Sequence, residues 1–213
     1  MPRLRPYRLP ARGLYAITDG PRPDLYSAVE SALNGGAAIL QYRDKSAESE
    51  RRHAEAASLL AACRRFGIPL IVNDDVDLAA AIGADGVHLG EHDGTVAAAR
   101  GILGERAIVG VSCYDDLHRA EAAAAAGADY IAFGAFFPSI TKPNARRATL
   151  DLLRAAATLD IPRVAIGGIT PDNARPLVDA GADLIAIVGG VFDAPDPVAA
   201  ARACRSLFAF PEP

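Results

Sequence analysis

Four short stretches, Gly36-Ala37-Ala38, Gly83-Ala84-Asp85, Gly127-Ala128-Asp129 and Gly181-Ala182-Asp183, recur along the chain. Each follows an Ala-rich amphipathic segment and precedes a short apolar run. A glycine just past a helix suits the left-handed C′ position, where a Cβ costs energy. Each copy therefore reads as the close of a helix and the opening of a strand. Working outward, apolar runs predict strands at 14–18, 38–43, 70–74, 86–90, 108–112, 130–134, 164–168 and 184–189. Helical patterns lie near 24–34, 47–66, 76–82, 94–102, 115–126, 149–158, 171–180 and 197–208. The four copies introduce the second, fourth, sixth and eighth strands. A unit of two strands and two helices, used four times, predicts a single-domain α/β fold, the (β/α)8 TIM barrel. A doubly wound open sheet is the competitor, but it has no reason to repeat to its last strand. The barrel is expected over 11–210, behind a short tail at 1–10.

The repeat also sets a register. Five residues past each glycine stand Gln41, His88, Ala132 and Ala186; seven past stand Arg43, Gly90, Gly134 and Val188. Side chains alternate along a strand, so both sets share a face. Pointed outward, that face would bury Gln41 and Arg43 under helices at high cost. Pointed inward, its upper layer is one Arg, two glycines and a Val, too small to fill the barrel mouth. A cavity is expected at the C-terminal strand ends, with Arg43 reaching into it.

The 213 residues carry a net charge of −4, with 51% hydrophobic and 23% charged residues. That is an ordinary globular composition, and its acidic balance argues against nucleic acid or an anionic membrane as partner. Trp is absent and no run of about 18 apolar residues occurs, so no membrane span is expected. The start, Met1 to Pro10, has basic residues and three prolines but no apolar core for a secretory signal. Cys63, Cys113 and Cys204 are widely spaced and odd in number, which fits buried free thiols in the cytoplasm. Whether copies associate into a homo-oligomer is left open.

Chemistry-bearing residues gather at the expected strand ends. Gln41-Tyr42-Arg43-Asp44-Lys45 follows the second strand; alternation places Gln41, Arg43 and Lys45 on one side, where the cations suit phosphate or carboxylate. Asn73-Asp74-Asp75 ends the third strand and Asp93 follows the fourth. Such acids form a hard oxygen set suited to Mg²⁺ shared with substrate phosphates, although helix capping competes for each. His88 is expected inside the barrel as a hydrogen-bonding group and His92 in a loop, with no zinc set around them. Ser112 adds a hydroxyl at the mouth. Phe136 to Asn144, with Ser139, Ile140, Thr141 and Lys142, reads as an active-site cover, and Arg146 and Arg147 as its solvated exit. Gly167-Gly168 and Gly189-Gly190 end the last two strands, where barrels commonly bind phosphate. Thr170-Pro171 reads as a helix cap followed by a first-turn proline. No Ser-His-Asp order suggests covalent catalysis.

Taken together, Gln41-x-Arg43-x-Lys45, Val72-Asn73-Asp74, Gly83 to Gly90 with Asp93, Gly110-Val111-Ser112, Pro138-Ser139-x-Thr141-Lys142 and Ala165 to Ile169 resemble the thiamine-phosphate synthase family. The resemblance spans about Leu14 to Phe192. It implies a transferase that joins hydroxymethylpyrimidine diphosphate to hydroxyethylthiazole phosphate, giving thiamine phosphate and diphosphate by dissociative substitution. It implies that residues 41–45, Asn73, Ser112 and Lys142 hold the pyrimidine diphosphate. It implies Asp74 and Asp93 as Mg²⁺ ligands, and Ser139, Ile140, Thr141, Gly168, Val188 and Gly189 as the thiazole phosphate site. Catalytic roles fall to Arg43, Lys45, Ser112 and Lys142. The chain departs from the family's usual pattern at Ser139, Glu91-His92, Gly189 and Cys113-Tyr114. A thiazole tautomerase on the same barrel, or a non-catalytic phosphate binder, are the alternatives. The tautomerase would need an acid–base residue but no metal acids, and the binder would need only the glycine site.

Overall fold

The computed structural model describes residues 8–138 and 146–208. Eight parallel strands close into a barrel in chain order, with β1 pairing β8. The strands are β1 (Gly13–Ile17), β2 (Ile39–Tyr42), β3 (Leu70–Asn73), β4 (Gly86–Leu89), β5 (Ile108–Tyr114), β6 (Tyr130–Phe133), β7 (Arg163–Ile166) and β8 (Leu184–Ile187). The helices are α1 (Leu25–Asn34), α2 (Ser49–Phe66), α3 (Val76–Ile82), α4 (Val96–Leu103), α5 (Leu117–Ala125), α6 (Leu150–Ala155), α7 (Arg175–Asp179), α8 (Gly189–Phe192) and α9 (Pro197–Ser206). The predicted barrel and all eight strands are present. Among the described residues, no helix is long and apolar enough to cross a membrane.

Two apolar layers hold the barrel. Inside it, Tyr15, Ile17, Ile39, Ile71, Ile108, Tyr130, Val164 and Leu184 pack against one another. Outside it, the alternate strand residues, such as Leu40, Val72, Val87 and Val109, meet the helices through Leu33, Leu59, Leu78 and others. The three cysteines are free and buried in this outer layer.

The repeat has a structural use at the N-terminal end of the barrel. The Asp of each Gly-Ala-Asp accepts a hydrogen bond from an N–H at the start of the preceding strand, its first residue in β3 and β7 and its second in β5: Leu70 N to Asp85 at 2.9 Å, Val109 N to Asp129 at 2.6 Å, Arg163 N to Asp183 at 2.9 Å. The backbone N–H of the same Asp returns a bond to that residue's carbonyl. Each carboxylate thus satisfies a strand-start donor that the parallel ladder leaves over. The first copy carries Ala38 instead, and it lies against Gly13, where an added Cβ would come within 2.8 Å of the Ala38 Cβ.

Three local expectations change. β5 runs to Tyr114, and a register shift between Ser112 and Tyr114 leaves Cys113 as an extra residue. Such a bulge re-aims the next side chain, and Tyr114 turns to the mouth with φ +56°. Thr170 does not cap α7, which starts at Arg175. Instead Asn173 closes the turn, accepting from Thr170 N and donating to the Gly168 carbonyl. The four-residue α8 directly after β8 was not expected.

Candidate active site

A cavity of about 760 Å³ opens at the C-terminal ends of the strands. All eight residues that the repeat register points inward line it: Gln41, Arg43, His88, Gly90, Ala132, Gly134, Ala186 and Val188. The same mouth gathers Lys45, Asn73, Asp74, Asp93, Ser112, Gly168 and Gly189. Ser139, Ile140, Thr141 and Lys142 lie outside the described residues.

The second-strand cluster divides by face. Arg43 lines the mouth and pairs with Asp19, and its backbone N–H is held by the Thr18 hydroxyl at 2.8 Å. Lys45 reaches across to Asp74 at 3.1 Å. Tyr42 and Asp44 are not brought to the mouth. Tyr42 faces α2 and donates to Glu55 at 2.7 Å. Asp44 is buried beside Arg51 of α2 at 2.8 Å and accepts from Ser46 N. The resemblance groups these two residues with the pyrimidine diphosphate site, and their side chains point away from the cavity. Strand alternation turns them into the helix layer, where with Arg51 and Glu55 they brace the tip that carries Arg43 and Lys45.

The acids at the third and fourth strand ends meet. Asp74 adopts φ +62°, a left-handed conformation that Asp tolerates, and its N–H is held by the His88 carbonyl at 2.8 Å. Asp75, not Asp74, caps α3, and Thr95, not Asp93, caps α4. Asp93 is free to fold back over its own strand end, accepting from Gly90 N at 2.8 Å. A Cβ at residue 90 would crowd that carboxylate. Burial, followed by hydrogen bonding to and repulsion from Asp74, raises the Asp93 carboxyl above the usual carboxylate range, against the pull of Gly90 N and Lys45. Two carboxylates facing each other at the cost of a raised proton affinity form a set of hard oxygens that a divalent cation fits. Among the described residues no group of three or more His, Cys, Asp or Glu gathers to cage a metal.

Opposite these acids, β7 and β8 end in glycines. Gly168, with φ +64°, lets the backbone pass the carbonyls of Phe137 and Pro138, which a Cβ would strike. Gly189 opens α8; the N–H groups of Val191 and Phe192 return to the Val188 carbonyl, while those of Gly189 and Gly190 stand at the helix start, ahead of any intrahelical acceptor. Asp193, beyond α8, also lines the cavity and is drawn toward Arg22 at 3.3 Å.

Several mouth residues escaped the sequence reading. Arg146 was expected in solvent; it lines the cavity, stacking 4.2 Å from the Tyr114 ring centre and pairing with Glu91 at 2.8 Å. Arg119 of α5 donates to the carbonyls of Ser112 at 2.6 Å and Gly90 at 3.0 Å, joining the ends of β4 and β5. Ser112 lies 2.8 Å from His88 Nε2. That pairing depends on how β4 and β5 align, which the repeat register, limited to the even strands, does not reach.

A closed parallel barrel with charged and glycine-ended strands around one mouth defines an enzyme of the phosphate-handling TIM-barrel type. The family model described as "Thiamine monophosphate synthase" matches residues 14–191. The chain belongs to this family, and with it to the transferases of thiamine biosynthesis. It is 57% identical over 201 residues to a thiamine-phosphate synthase of Nitrosococcus oceani, covering 92% of this chain and 93% of that one. It is 58% identical over 199 residues to a thiamine-phosphate synthase of Xanthomonas campestris pv. campestris, covering 93% and 96%. Its fold overlays a solved thiamine phosphate pyrophosphorylase from Pyrococcus furiosus with a TM-score of 0.84, at 36% identity and 96% coverage of both chains.

Proposed function

We propose that this mouth joins hydroxymethylpyrimidine diphosphate to hydroxyethylthiazole phosphate, releasing diphosphate and thiamine phosphate. The observation that carries the reading is the meeting of Asp74 and Asp93 beside Lys45 and Arg43, across one cavity from the glycine ends of β7 and β8. The first group suits a metal-bound diphosphate and the second a monophosphate, so two phosphorylated substrates would enter from opposite sides.

Asp74 and Asp93 would hold Mg²⁺, with its other ligands coming from water and the diphosphate. The bound ion would help neutralise charge on the leaving group. Arg43 and Lys45 would add fixed positive charge where the C–O bond breaks. Gln41 would orient the pyrimidine and Ser112 would contact the same substrate. Gly168, Val188 and Gly189 would bind the thiazole phosphate through backbone N–H groups. Lys142 and the hydroxyls of Ser139 and Thr141, with Ile140, complete the assignment by resemblance. The attacking thiazole nitrogen carries no proton, so the chemistry needs no strong general base.

The His88–Ser112 contact favours one second reading, proton transfer in a thiazole isomerase. That reaction has no use for the facing acids. The deciding experiment supplies both substrates with and without Mg²⁺ and follows diphosphate and coupled product. Metal-dependent release of both supports the transferase. Isomerisation of a thiazole phosphate alone, with no diphosphate released, overturns it.

A further inference from the structure

The cavity floor holds a chain of five side chains that the proposed reaction uses only at its ends. Gln41 Nε2 donates to the Tyr15 hydroxyl at 2.7 Å. The Tyr15 and Tyr130 hydroxyls are 2.8 Å apart, and Tyr130 lies 3.0 Å from His88 Nδ1. His88 Nε2 completes the chain to Ser112 at 2.8 Å. Gln41, Tyr15, His88 and Ser112 line the cavity, whereas Tyr130 sits fully buried beneath them. Gly110 makes room for it, since a Cβ there would overlap the Tyr130 ring.

Two phenylalanines would fill the barrel centre without the cost of burying hydroxyls. Burial holds both phenols well above their ordinary pKa, so each stays neutral with one hydrogen to give. Hydrogen accounting then orders the chain. With the Gln41 amide donating to Tyr15, the Tyr15 hydrogen goes to Tyr130, and the Tyr130 hydrogen goes to His88 Nδ1. With Nδ1 accepting, the imidazole hydrogen lies on Nε2 and goes to Ser112. The Ser112 hydroxyl hydrogen is left for a ligand, as is the Gln41 carbonyl oxygen at the other end. Turning the amide over would reverse every bond.

We propose that Tyr130 is a positioning residue which, through Tyr15 and His88, couples Gln41 to Ser112, so that the two ends present an acceptor and a donor together. The matching ligand is a heterocycle offering an amino group to Gln41 and an acceptor, a ring nitrogen or phosphate oxygen, to Ser112. The inference rests on the reading of this mouth as the pyrimidine diphosphate site.

The test is a double-mutant cycle on the full-length enzyme, reading KM for the pyrimidine diphosphate. Gln41→Met and Ser112→Ala should combine to less than the product of their separate effects in the Tyr130 background. They should multiply independently in Tyr130→Phe. Tyr130→Phe alone should raise KM by about threefold to tenfold, the range of one lost hydrogen bond, with kcat within about twofold. Tyr15→Phe breaks the next link and should uncouple the ends in the same way. Independent effects in the parent enzyme, or coupling that survives both Phe variants, overturn the proposal. A second readout needs no turnover: ¹⁵N NMR of the ligand-free chain, with His88 assigned through His88→Asn. The imidazole should be protonated on Nε2, and Tyr130→Phe should remove that preference. An Nδ1-protonated ring, or a tautomer indifferent to Tyr130→Phe, overturns it. If the parent enzyme yields no coupled product, the functional reading fails while the NMR result still decides the chain.

Discussion

Aspartates serve both ends of this barrel, and their surroundings differ in kind. At the strand starts, Asp85, Asp129 and Asp183 each receive a backbone N–H, and Arg100 and Arg163 add pairs to the last two. At the strand ends, Asp74 and Asp93 face each other with one exposed lysine between their charges and solvent, and Asp93 is pushed toward its protonated form. The first group is arranged for the folded chain alone. The second raises the proton affinity of one of its members, an arrangement that a bound cation would relieve. Carboxylates of one end should therefore govern stability and those of the other turnover, with opposite signs.

Asp93→Asn tests this most severely. Turnover should fall by about 10²-fold or more, the scale of losing an electrostatic stabiliser. The metal-free protein should meanwhile melt higher at pH 7, because the buried charge and its repulsion from Asp74, which raise the Asp93 carboxyl, are removed. The sign follows from proton binding. A carboxyl raised in the folded state binds more protons there than in the unfolded chain, so stability falls as pH rises through that window. The gain in melting temperature should accordingly vanish in acid. A variant less stable than the parent at pH 7 would refute the contrast. Next in size, Asp129→Ala and Asp183→Ala leave the N–H groups of Val109 and Arg163 unpaired. Each should cost about 1–3 kcal/mol by denaturant titration, with kcat changed by less than about twofold. Arg146→Ala comes third. Losing its stacking on Tyr114 and its pair with Glu91 should raise KM for the proposed pyrimidine diphosphate substrate by about twofold to fivefold, the worth of a half-exposed cation–π contact.

The barrel and its inward face were legible because local rules carry them: a glycine past each helix, a period of two along each strand. The same alternation separates Gln41, Arg43 and Lys45 from Tyr42 and Asp44, so the side chains of the 41–45 stretch divide between the cavity and the helix layer. The meeting of Asp74 and Asp93 followed from adjacent strands ending together. Other parts depended on partners distant in the chain. His88 and Ser112 are common residues whose contact needs the register of two strands. The α8 helix is too short for any periodicity to declare it. Tyr114 reaches the mouth only because the β5 bulge turns it, and Arg146 follows Tyr114.

At neutral pH the smallest effect belongs to groups at neither end. Cys63 on α2, Cys113 on β5 and Cys204 on α9 lie in the layer between barrel and helices, and burial pushes each thiol up to about 12. In the unfolded chain a thiol ionises near its ordinary value of 9.0, so above that pH the unfolded state binds fewer protons than the folded one. Stability must then fall as pH rises, with the loss fully present only beyond the folded values. At pH 9 it amounts to a few tenths of a kcal/mol per thiol, and it grows by about 1.4 kcal/mol per thiol for each further pH unit. Denaturant titrations from pH 7 to 10 should show this decline, with Cys204→Ala flattening it by one thiol's share. A thiol-reactive reagent at pH 8 should label the three cysteines only as the chain unfolds. Rapid labelling of a native thiol, or a stability that holds flat to pH 10, would mean that the helix layer is looser than the packing around these residues requires.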